Sequence, residues 1–103
     1  MSFVVRYSAA ACDDLKRLYE YLLDRASTAE DLDLAERALG AIIGSADSLG
    51  RSPFVYRKAC RSPFLRELLI PFGNSGYVAL FEIDDASTVT ILAARHQLED
   101  DYH

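Results

Sequence analysis

The last third of the chain constrains the fold most, because two strand-like segments there are separated by a short polar break. Residues 76–83 and 88–94 are rich in aromatic and β-branched residues, which favour β-strands. The four residues between them are acidic or small, as a turn requires. The pattern predicts a β-hairpin. The polar tail that follows contains both histidines of the protein, so we expect any chemical centre or recognition surface to lie there.

Length and composition narrow the class of protein. A chain of 103 residues, half of them hydrophobic, predicts a single folded domain covering residues 1–103. The formal net charge of -5 disfavours direct nucleic-acid binding, which normally needs a basic surface. Cys12 and Cys60 lie far apart and have no metal-binding spacing. No segment is typical of a signal peptide or a membrane span, so we expect a cytoplasmic protein with reduced thiols.

The first quarter of the chain predicts a strand followed by a helix. Residues 3–7 alternate in the manner of a short strand. Ser8 then stands where its hydroxyl can accept a free amide hydrogen bond, which predicts a helix over residues 9–25. Asp13 and Asp14 are expected near the positive end of that helix's dipole, where negative charge is favourable.

A second helix is predicted after a short break at residues 26–28. Its apolar residues recur at spacings of three and four: Ala35, Ala38, Leu39, Ile42, Ala46 and Leu49. Gly40 and Gly44 each weaken a helix interior by roughly 1 kcal/mol relative to alanine. We therefore expect another backbone to pack closely against them. Gly50 is expected to cap this helix, and Pro53 prevents its continuation.

The remaining segments complete the order β-α-α-β-β-β. Residues 52–62 are irregular and rich in positive charge, whereas residues 64–72 predict a strand that ends at turn-forming residues 73–76. The predicted fold is α+β, with the helical hairpin packed on one face of a mainly antiparallel four-stranded sheet. One helical layer covers one face only. The other face is expected to be covered either by a partner or by its own tyrosines and long side chains.

Four stretches, in the same order along the chain, resemble RelE/ParE-family toxins. The opening VRYSAAACDDL at residues 5–15 is similar to the family's first strand and helix. LREL at residues 65–68 and GYVALFEI at residues 76–83 are similar to two of its strands. TILAARH at residues 90–96 resembles its last strand, which closes on Arg-His. The resemblance covers nearly the whole chain.

This resemblance implies the toxin of a type II toxin–antitoxin module, as found in plasmid stabilisation systems. Such a toxin would be held inactive by a cognate, ParD-like antitoxin, which lays helical segments over apolar surfaces of the toxin. The ParE branch of the family acts by binding DNA gyrase, and the RelE branch cleaves mRNA on the ribosome. Neither branch implies a cofactor.

Departures from the ribonuclease pattern favour the ParE branch, although the question of an enzyme stays open. Val78 stands where RelE-like members tend to have arginine, and Leu98 stands where many relatives have a basic residue. If the chain were a ribonuclease, its catalytic candidates would be Arg66, Arg95, His96 and Tyr102. For a binding protein, the candidate contacts with target or antitoxin are Arg66, Val78, Leu80, Leu92, Arg95, His96 and Leu98. A degenerate toxin that only binds its antitoxin is a third possibility.

Several of these residues also have structural interpretations. Arg66 could pair with a carboxylate such as Glu82, and His96 could fix the C-terminal segment by hydrogen bonding. The tail also contains residue types that bind zinc: His96, Asp100, Asp101 and His103. Their spacing matches no metal signature, so we predict no metal site.

Overall fold

Two helices pack on one face of a five-stranded mixed sheet in the computed structural model, which describes residues 2–99. The helices are α1 (Ala9–Asp24) and α2 (Ala29–Asp47). The strands are β1 (Val4–Tyr7), β2 (Arg57–Lys58), β3 (Leu65–Phe72), β4 (Ser75–Ile83) and β5 (Thr88–His96). Their spatial order is β1-β5-β4-β3-β2. The predicted α+β architecture with a helical hairpin on one sheet face is confirmed.

The strand count differs from the prediction by one. The extra strand, β2, has two residues, and it pairs antiparallel with β3 through Arg57↔Glu67 and Lys58↔Arg66. It lies in the segment that the sequence predicts to be irregular, because two residues are too few to show a period. The first strand also pairs parallel with β5, whereas the β3–β4 and β4–β5 pairs are antiparallel as predicted.

Both helices start where the sequence places capping side chains. The Ser8 hydroxyl accepts the Ala11 amide at 3.0 Å, as predicted, and α1 ends one residue earlier than expected. Thr28 caps α2 in the same way, since its hydroxyl accepts the Asp31 amide at 3.1 Å. Each cap satisfies an amide that the first helical turn leaves without an intrahelical partner.

The core lies between the helices and alternate residues of the three long strands. Phe81 at its centre is fully buried. The strand residues of the core are Leu68, Ile70, Tyr77, Ala79, Phe81, Ile83, Val89, Ile91 and Ala94. The helix residues of the core are Ala11, Leu18, Ala38, Ile42 and Ala46. The predicted apolar stripes of both helices therefore do form the buried interface with the sheet.

A bulge in β5 sets which side chains face the helices at the end of that strand. The register passes from Phe81↔Ile91 to Leu80↔Ala93, which leaves Leu92 without a partner. One extra residue shifts the alternation of side chains between the two sheet faces. Ala94 therefore joins the core, and the side chains at the end of β5 change face. A strict two-residue period cannot predict this shift, because the sequence alone does not mark the extra residue.

The glycines of α2 do not have the packing role that the sequence suggested. A Cβ atom placed on Gly40 or on Gly44 would have nothing within 4 Å. Both glycines are exposed, so no backbone of residues 2–99 approaches them. The prediction for Gly50 is also wrong, because α2 ends at Asp47 and Gly50 closes a short 3-10 helix. The carbonyl of Gly50 instead accepts the Phe3 amide at 2.7 Å, which ties the N-terminal segment to this helix.

Alanine at either exposed helical glycine is expected to stabilise the protein. Gly40→Ala and Gly44→Ala each remove backbone freedom from the unfolded chain and meet no steric obstacle. We expect a gain of about 0.5–1 kcal/mol in the free energy of unfolding for each substitution. Urea unfolding followed by circular dichroism measures it. A loss of stability in both variants would show that something does pack against this face.

The described chain contains no helix that is long and apolar enough to cross a membrane. Cys12 and Cys60 are both free and exposed, so neither contributes to the core.

Candidate functional site

The segment after β5 turns back against the start of β4. The Gln97 amide donates to the Gly76 carbonyl at 2.8 Å, and the Glu99 amide donates to the His96 carbonyl at 3.0 Å. These two bonds fold residues 96–99 into a compact turn at the end of the sheet. The tail that the sequence singled out therefore begins as an ordered element and not as a free extension of the strand.

His96 holds this turn through both ring nitrogens. Its Nδ1 atom accepts the Leu98 amide at 3.1 Å, which requires an unprotonated nitrogen at that position. Its Nε2 atom lies 3.1 Å from the Ser75 hydroxyl, within hydrogen-bonding distance. The ring also packs edge-on against Tyr77, with centroids 5.4 Å apart. These are the hydrogen bonds that the structural interpretation of His96 expects, and its contact with a target or antitoxin stays a prediction.

Arg95 likewise points its guanidinium at the backbone of the turn. One terminal nitrogen lies 2.7 Å from the Glu99 carbonyl and 3.3 Å from the carbonyls of His96 and Gln97. A guanidinium that donates to three carbonyls is positioned to hold a turn closed. Arg95 is half-buried in this arrangement.

Helix α1 anchors the same turn from the other side. The Asp14 carboxylate, 5% exposed, accepts the Ala94 amide at 2.9 Å and lies 4.0 Å from Arg17. Arg17 also pairs with Glu99 at 3.3 Å, and Glu99 accepts the His96 amide at 2.8 Å. The predicted dipole role is wrong for both Asp13 and Asp14, because neither lies in the first turn of α1; the Asp14 side chain is instead buried against β5. A charged network joins the helix, the strand end and the turn.

An apolar groove lies between α1 and this turn; we call it the C-terminal groove. Its volume is about 480 Å³. Its lining residues are Arg17, Leu18, Tyr21, Leu22, Tyr77, His96, Leu98 and Glu99. At its mouth Leu98 is 79% exposed and Tyr21 is 54% exposed, while burial raises the pKa of Tyr77 at its floor. The groove therefore offers two large exposed side chains above an apolar floor, beside a turn that hydrogen bonds hold in place.

Arg66 lies far from the other predicted site residues. It pairs with Phe81 in the sheet, whereas His96 pairs with Tyr77, four residues along β4. At about 3.3 Å per residue, this separates their backbones by roughly 13 Å along the strand direction, and β3 and β5 also lie on opposite sides of β4. The Arg66 guanidinium donates to the carbonyls of Phe54, Tyr56 and Pro63, and its hydrogen bonds within the described residues do not include Glu82. The structure therefore uses this arginine to hold the loop before β3.

The remaining candidate contacts lie on the sheet face opposite the helices or beside it. Val78 is only 1% exposed, so it offers almost no surface for a direct contact. Leu80 and Leu92 are half-buried. Leu98, at 79%, is therefore the most exposed of the four apolar candidates. Tyr102 lies outside the described residues.

Within residues 2–99, no three side chains of histidine, cysteine, aspartate or glutamate are grouped to hold a metal ion. The other tail residues considered as ligands, Asp100, Asp101 and His103, lie outside this range.

Sequence reasoning missed the α1 side of the groove. Arg17 and Tyr21 lie four residues apart, so they share one face of the helix, but nothing local distinguishes them from a solvated pair. Asp14 follows Asp13 directly in the sequence. The two differ because Asp14 accepts the hydrogen bond of the buried Ala94 amide. The available signal was the spacing of Asp14, Arg17 and Tyr21, which places one row of functional side chains along α1.

Comparison with known proteins agrees with this fold. The family model for the ParE toxin of the parDE type II toxin–antitoxin system matches residues 5–101. Toxin RelE3 from Caulobacter vibrioides is 37% identical over 87 residues, which cover 84% of this chain and 85% of that protein. A chain of the chromosomal ParDE system from P. aeruginosa superposes with a TM-score of 0.70 at 16% identity, covering 93% of this chain and 95% of that chain. The protein described here belongs to the ParE toxin family of type II toxin–antitoxin systems.

Proposed function

We propose that this toxin is neutralised by a cognate, ParD-like antitoxin that occupies the C-terminal groove, and that it acts in the cytoplasm by binding DNA gyrase. The observation that carries the first part is the exposure of Leu98 and Tyr21 at the mouth of a formed apolar groove. An exposed leucine on a turn fixed by several hydrogen bonds loses little conformational freedom when a partner covers it.

The shape and chemistry of the groove suit an amphipathic segment of a partner protein. Its walls are a helix and a turn, and its floor is formed by Leu18, Leu22 and Tyr77. A partner helix can place side chains at spacings of three and four into such a groove. The Arg17–Glu99 ion pair at its edge supplies a donor and an acceptor for polar groups of the partner.

The arrangement of the catalytic candidates supports binding over RNA cleavage. Cleavage by a 2′-hydroxyl needs a proton acceptor or donor beside the phosphate and positive charge that is free to stabilise it. Arg66 and Arg95 each donate to several backbone carbonyls, and His96 is bonded at both ring nitrogens. Bringing Arg66 together with the other two would also require the sheet to move.

The gyrase proposal is tested with purified protein. We expect the free toxin to inhibit DNA supercoiling by gyrase in proportion to its concentration, and its expression to induce a DNA-damage response while cellular mRNA stays intact. Rapid cutting of mRNA at codons, without effect on supercoiling, would instead support the ribonuclease alternative. Absence of toxicity and of both activities would support a degenerate toxin that only binds its antitoxin.

The antitoxin proposal is tested by charge placed in the groove. Leu98→Glu removes the most exposed apolar side chain at its mouth, and burying such a side chain contributes about 1.5–3 kcal/mol. We therefore expect the affinity for the antitoxin encoded beside this toxin to fall by roughly tenfold or more. Titration calorimetry with purified partners measures this change.

The matched control is Leu32→Glu. Leu32 is 50% exposed on α2 and does not line the C-terminal groove, so we expect this variant to keep wild-type affinity for the antitoxin. Equal losses in both variants would mean that net charge, and not the groove, controls the interaction. Wild-type affinity in Leu98→Glu would place the antitoxin elsewhere on the toxin.

A further inference from the structure

A second groove lies at the other end of the sheet, beside the turn between β4 and β5; we call it the acidic groove. Its volume is about 690 Å³. Its lining residues are Phe3, Phe54, Ser62, Phe64, Glu82, Ile83, Asp84, Asp85 and Ala86. Neither the predicted site residues nor the C-terminal groove includes any of these positions. The two grooves are therefore separate surfaces.

The apolar part of the acidic groove consists of aromatic rings that stay accessible. Phe54 is 50% exposed and Phe64 is 51% exposed. Phe3 packs edge-on against Phe54, with centroids 6.4 Å apart. Because Phe54 and Phe64 line the same cavity, their exposed surfaces form one apolar patch. Single apolar residues scattered over a protein surface do not form such a patch.

Hydrogen bonds hold the walls that carry these rings. The Ile83 amide donates to the Phe64 carbonyl at 2.8 Å, which fixes Phe64 beside β4. Arg66 donates to the Phe54 carbonyl at 3.1 Å, and its guanidinium lies 5.3 Å from the centre of the Phe54 ring. A loop held by hydrogen bonds therefore presents the rings. Binding of a ligand would cost little free energy for ordering this loop.

The charged residues that line the acidic groove are of one sign, and the nearby Arg66, beside the Phe54 ring, is not among them. Three of the groove's lining residues are acidic, and none is basic: Glu82, Asp84 and Asp85. The Ser87 amide and hydroxyl donate hydrogen bonds to Asp85 at 2.8 and 3.1 Å. The hydrogen bond from the amide is the main reason that the pKa of Asp85 is lowered. None of the three forms an ion pair within residues 2–99. Asp84 accepts a hydrogen bond from the Thr90 hydroxyl, and no ion pair within the described residues competes with a cation for the three carboxylates.

We propose that the acidic groove is a docking site for a segment of a partner protein that carries an aromatic or leucine side chain flanked by lysine or arginine. The rings accommodate the apolar side chain, and the carboxylates select the flanking cations. A nucleic acid is disfavoured as the occupant, because its phosphates would meet three carboxylates of the same sign. The proposal does not depend on the antitoxin or on gyrase.

A displayed library of random dodecapeptides, selected on the immobilised full-length chain, tests this proposal. We expect enrichment of peptides that combine an aromatic or leucine residue with adjacent lysine or arginine. Titration of a selected synthetic peptide into 15N-labelled protein should shift the amide resonances of Phe54, Phe64 and Ala86. Enrichment of acidic or uncharged peptides, or shifts confined to Tyr21 and Leu98, would overturn the proposal.

Two charge-reversal variants make the test specific. Glu82→Lys changes an exposed carboxylate of the acidic groove, and we expect it to weaken binding of the selected peptide by roughly tenfold. Asp24→Lys makes the same change in net charge at the exposed end of α1, and we expect wild-type binding. Equal weakening of peptide binding in both variants would show that net charge, and not the acidic groove, controls binding.

Further controls address the other possible occupants. Phe64→Ser, with its fold checked by a thermal melt, should also weaken binding of the peptide, because it removes part of the apolar surface. Single-stranded RNA or DNA that produced the same amide shifts would contradict the assignment to a protein segment. Shifts that appear with increasing concentration of the protein alone would identify a second copy of this chain as the occupant.

Discussion

Gly76→Ala is expected to destabilise the protein more than any other alanine substitution of a glycine in this chain. A Cβ atom at Gly76 would lie 2.2 Å from the Ile70 carbonyl oxygen and 3.2 Å from the Phe72 nitrogen. Both obstacles are backbone atoms of the paired strand β3, so no side-chain rotation can relieve the overlap. We expect the free energy of unfolding to fall by about 3 kcal/mol or more, at the upper end of the range for overpacking.

Thermal and urea unfolding measure this change. For a domain of this size, 1 kcal/mol corresponds to about 4–8 °C in Tm, so we expect a decrease of roughly 12 °C or more. Gly40→Ala is the matched control, because the same methyl group enters open space there. A Gly76→Ala protein with wild-type Tm would show that β3 can move aside at no cost.

The same substitution is expected to disturb the C-terminal groove. The Gly76 carbonyl accepts the Gln97 amide, so a shift of this backbone moves the attachment of the turn. Faster hydrogen exchange at Gln97 and Leu98 than in the Gly40→Ala control would show this coupling. Unchanged exchange at both amides would separate the stability effect from the groove.

The β4–β5 hairpin was predictable because the residues that signal it are neighbours in the sequence. Phe81 and Ile91 sit in runs of strand-forming residues, and the small polar break between them predicts the turn. The start of α1 was predictable for the same reason, since Ser8 caps it through an amide three residues away. Signals of this kind depend on a few neighbouring residues and survive in any context that allows the element to form.

The parallel pairing of β1 with β5 could not be predicted from the residues themselves. Val5 pairs with Val89, and more than 80 residues of chain separate the two. No local pattern encodes such a contact; it follows from how the helical hairpin closes on the sheet. The bulge at Leu92 was not predicted because one extra residue barely disturbs the two-residue period of a strand. Strand β2 was not predicted because two residues are too few to show that period.

The candidate site was predictable only in its position on the chain. The tail after β5 does form one wall of a groove, and Leu98 lies at its mouth. The roles within the tail were not predictable, because His96 and Arg95 have side chains that suit catalysis and backbone bracing equally well. Only the positions of the Leu98 amide and the turn carbonyls show that this structure uses them for bracing.

Asp14→Ala is expected to be the most destabilising change among the charged residues of α1. It removes the acceptor of the Ala94 amide in a site where the carboxylate is 5% exposed, and it removes a neighbour of Arg17. A buried amide left without a partner costs about 1–3 kcal/mol, and breaking a buried charged contact adds to this. We expect a loss of about 3 kcal/mol in the free energy of unfolding, measured by urea denaturation.

Two variants separate the hydrogen bond from charge and helix propensity. Asp13→Ala makes the same substitution at the exposed neighbouring position, and we expect little change in stability. Asp14→Asn keeps an oxygen that can accept the Ala94 amide but removes the charge that faces Arg17, so we expect an intermediate loss. Equal stability of Asp14→Ala and Asp13→Ala would exclude the buried carboxylate as an anchor of β5.

The functional consequence of Asp14→Ala follows from the position of Ala94, two residues before the turn that forms the groove. Without the Asp14 acceptor, the end of β5 is held to α1 through Arg17, which donates to the Ala94 carbonyl at 3.4 Å and pairs with Glu99. We therefore expect weaker antitoxin binding by folded Asp14→Ala protein, although Asp14 does not line the groove. Wild-type affinity in that protein would show that the turn keeps its place without the helix anchor.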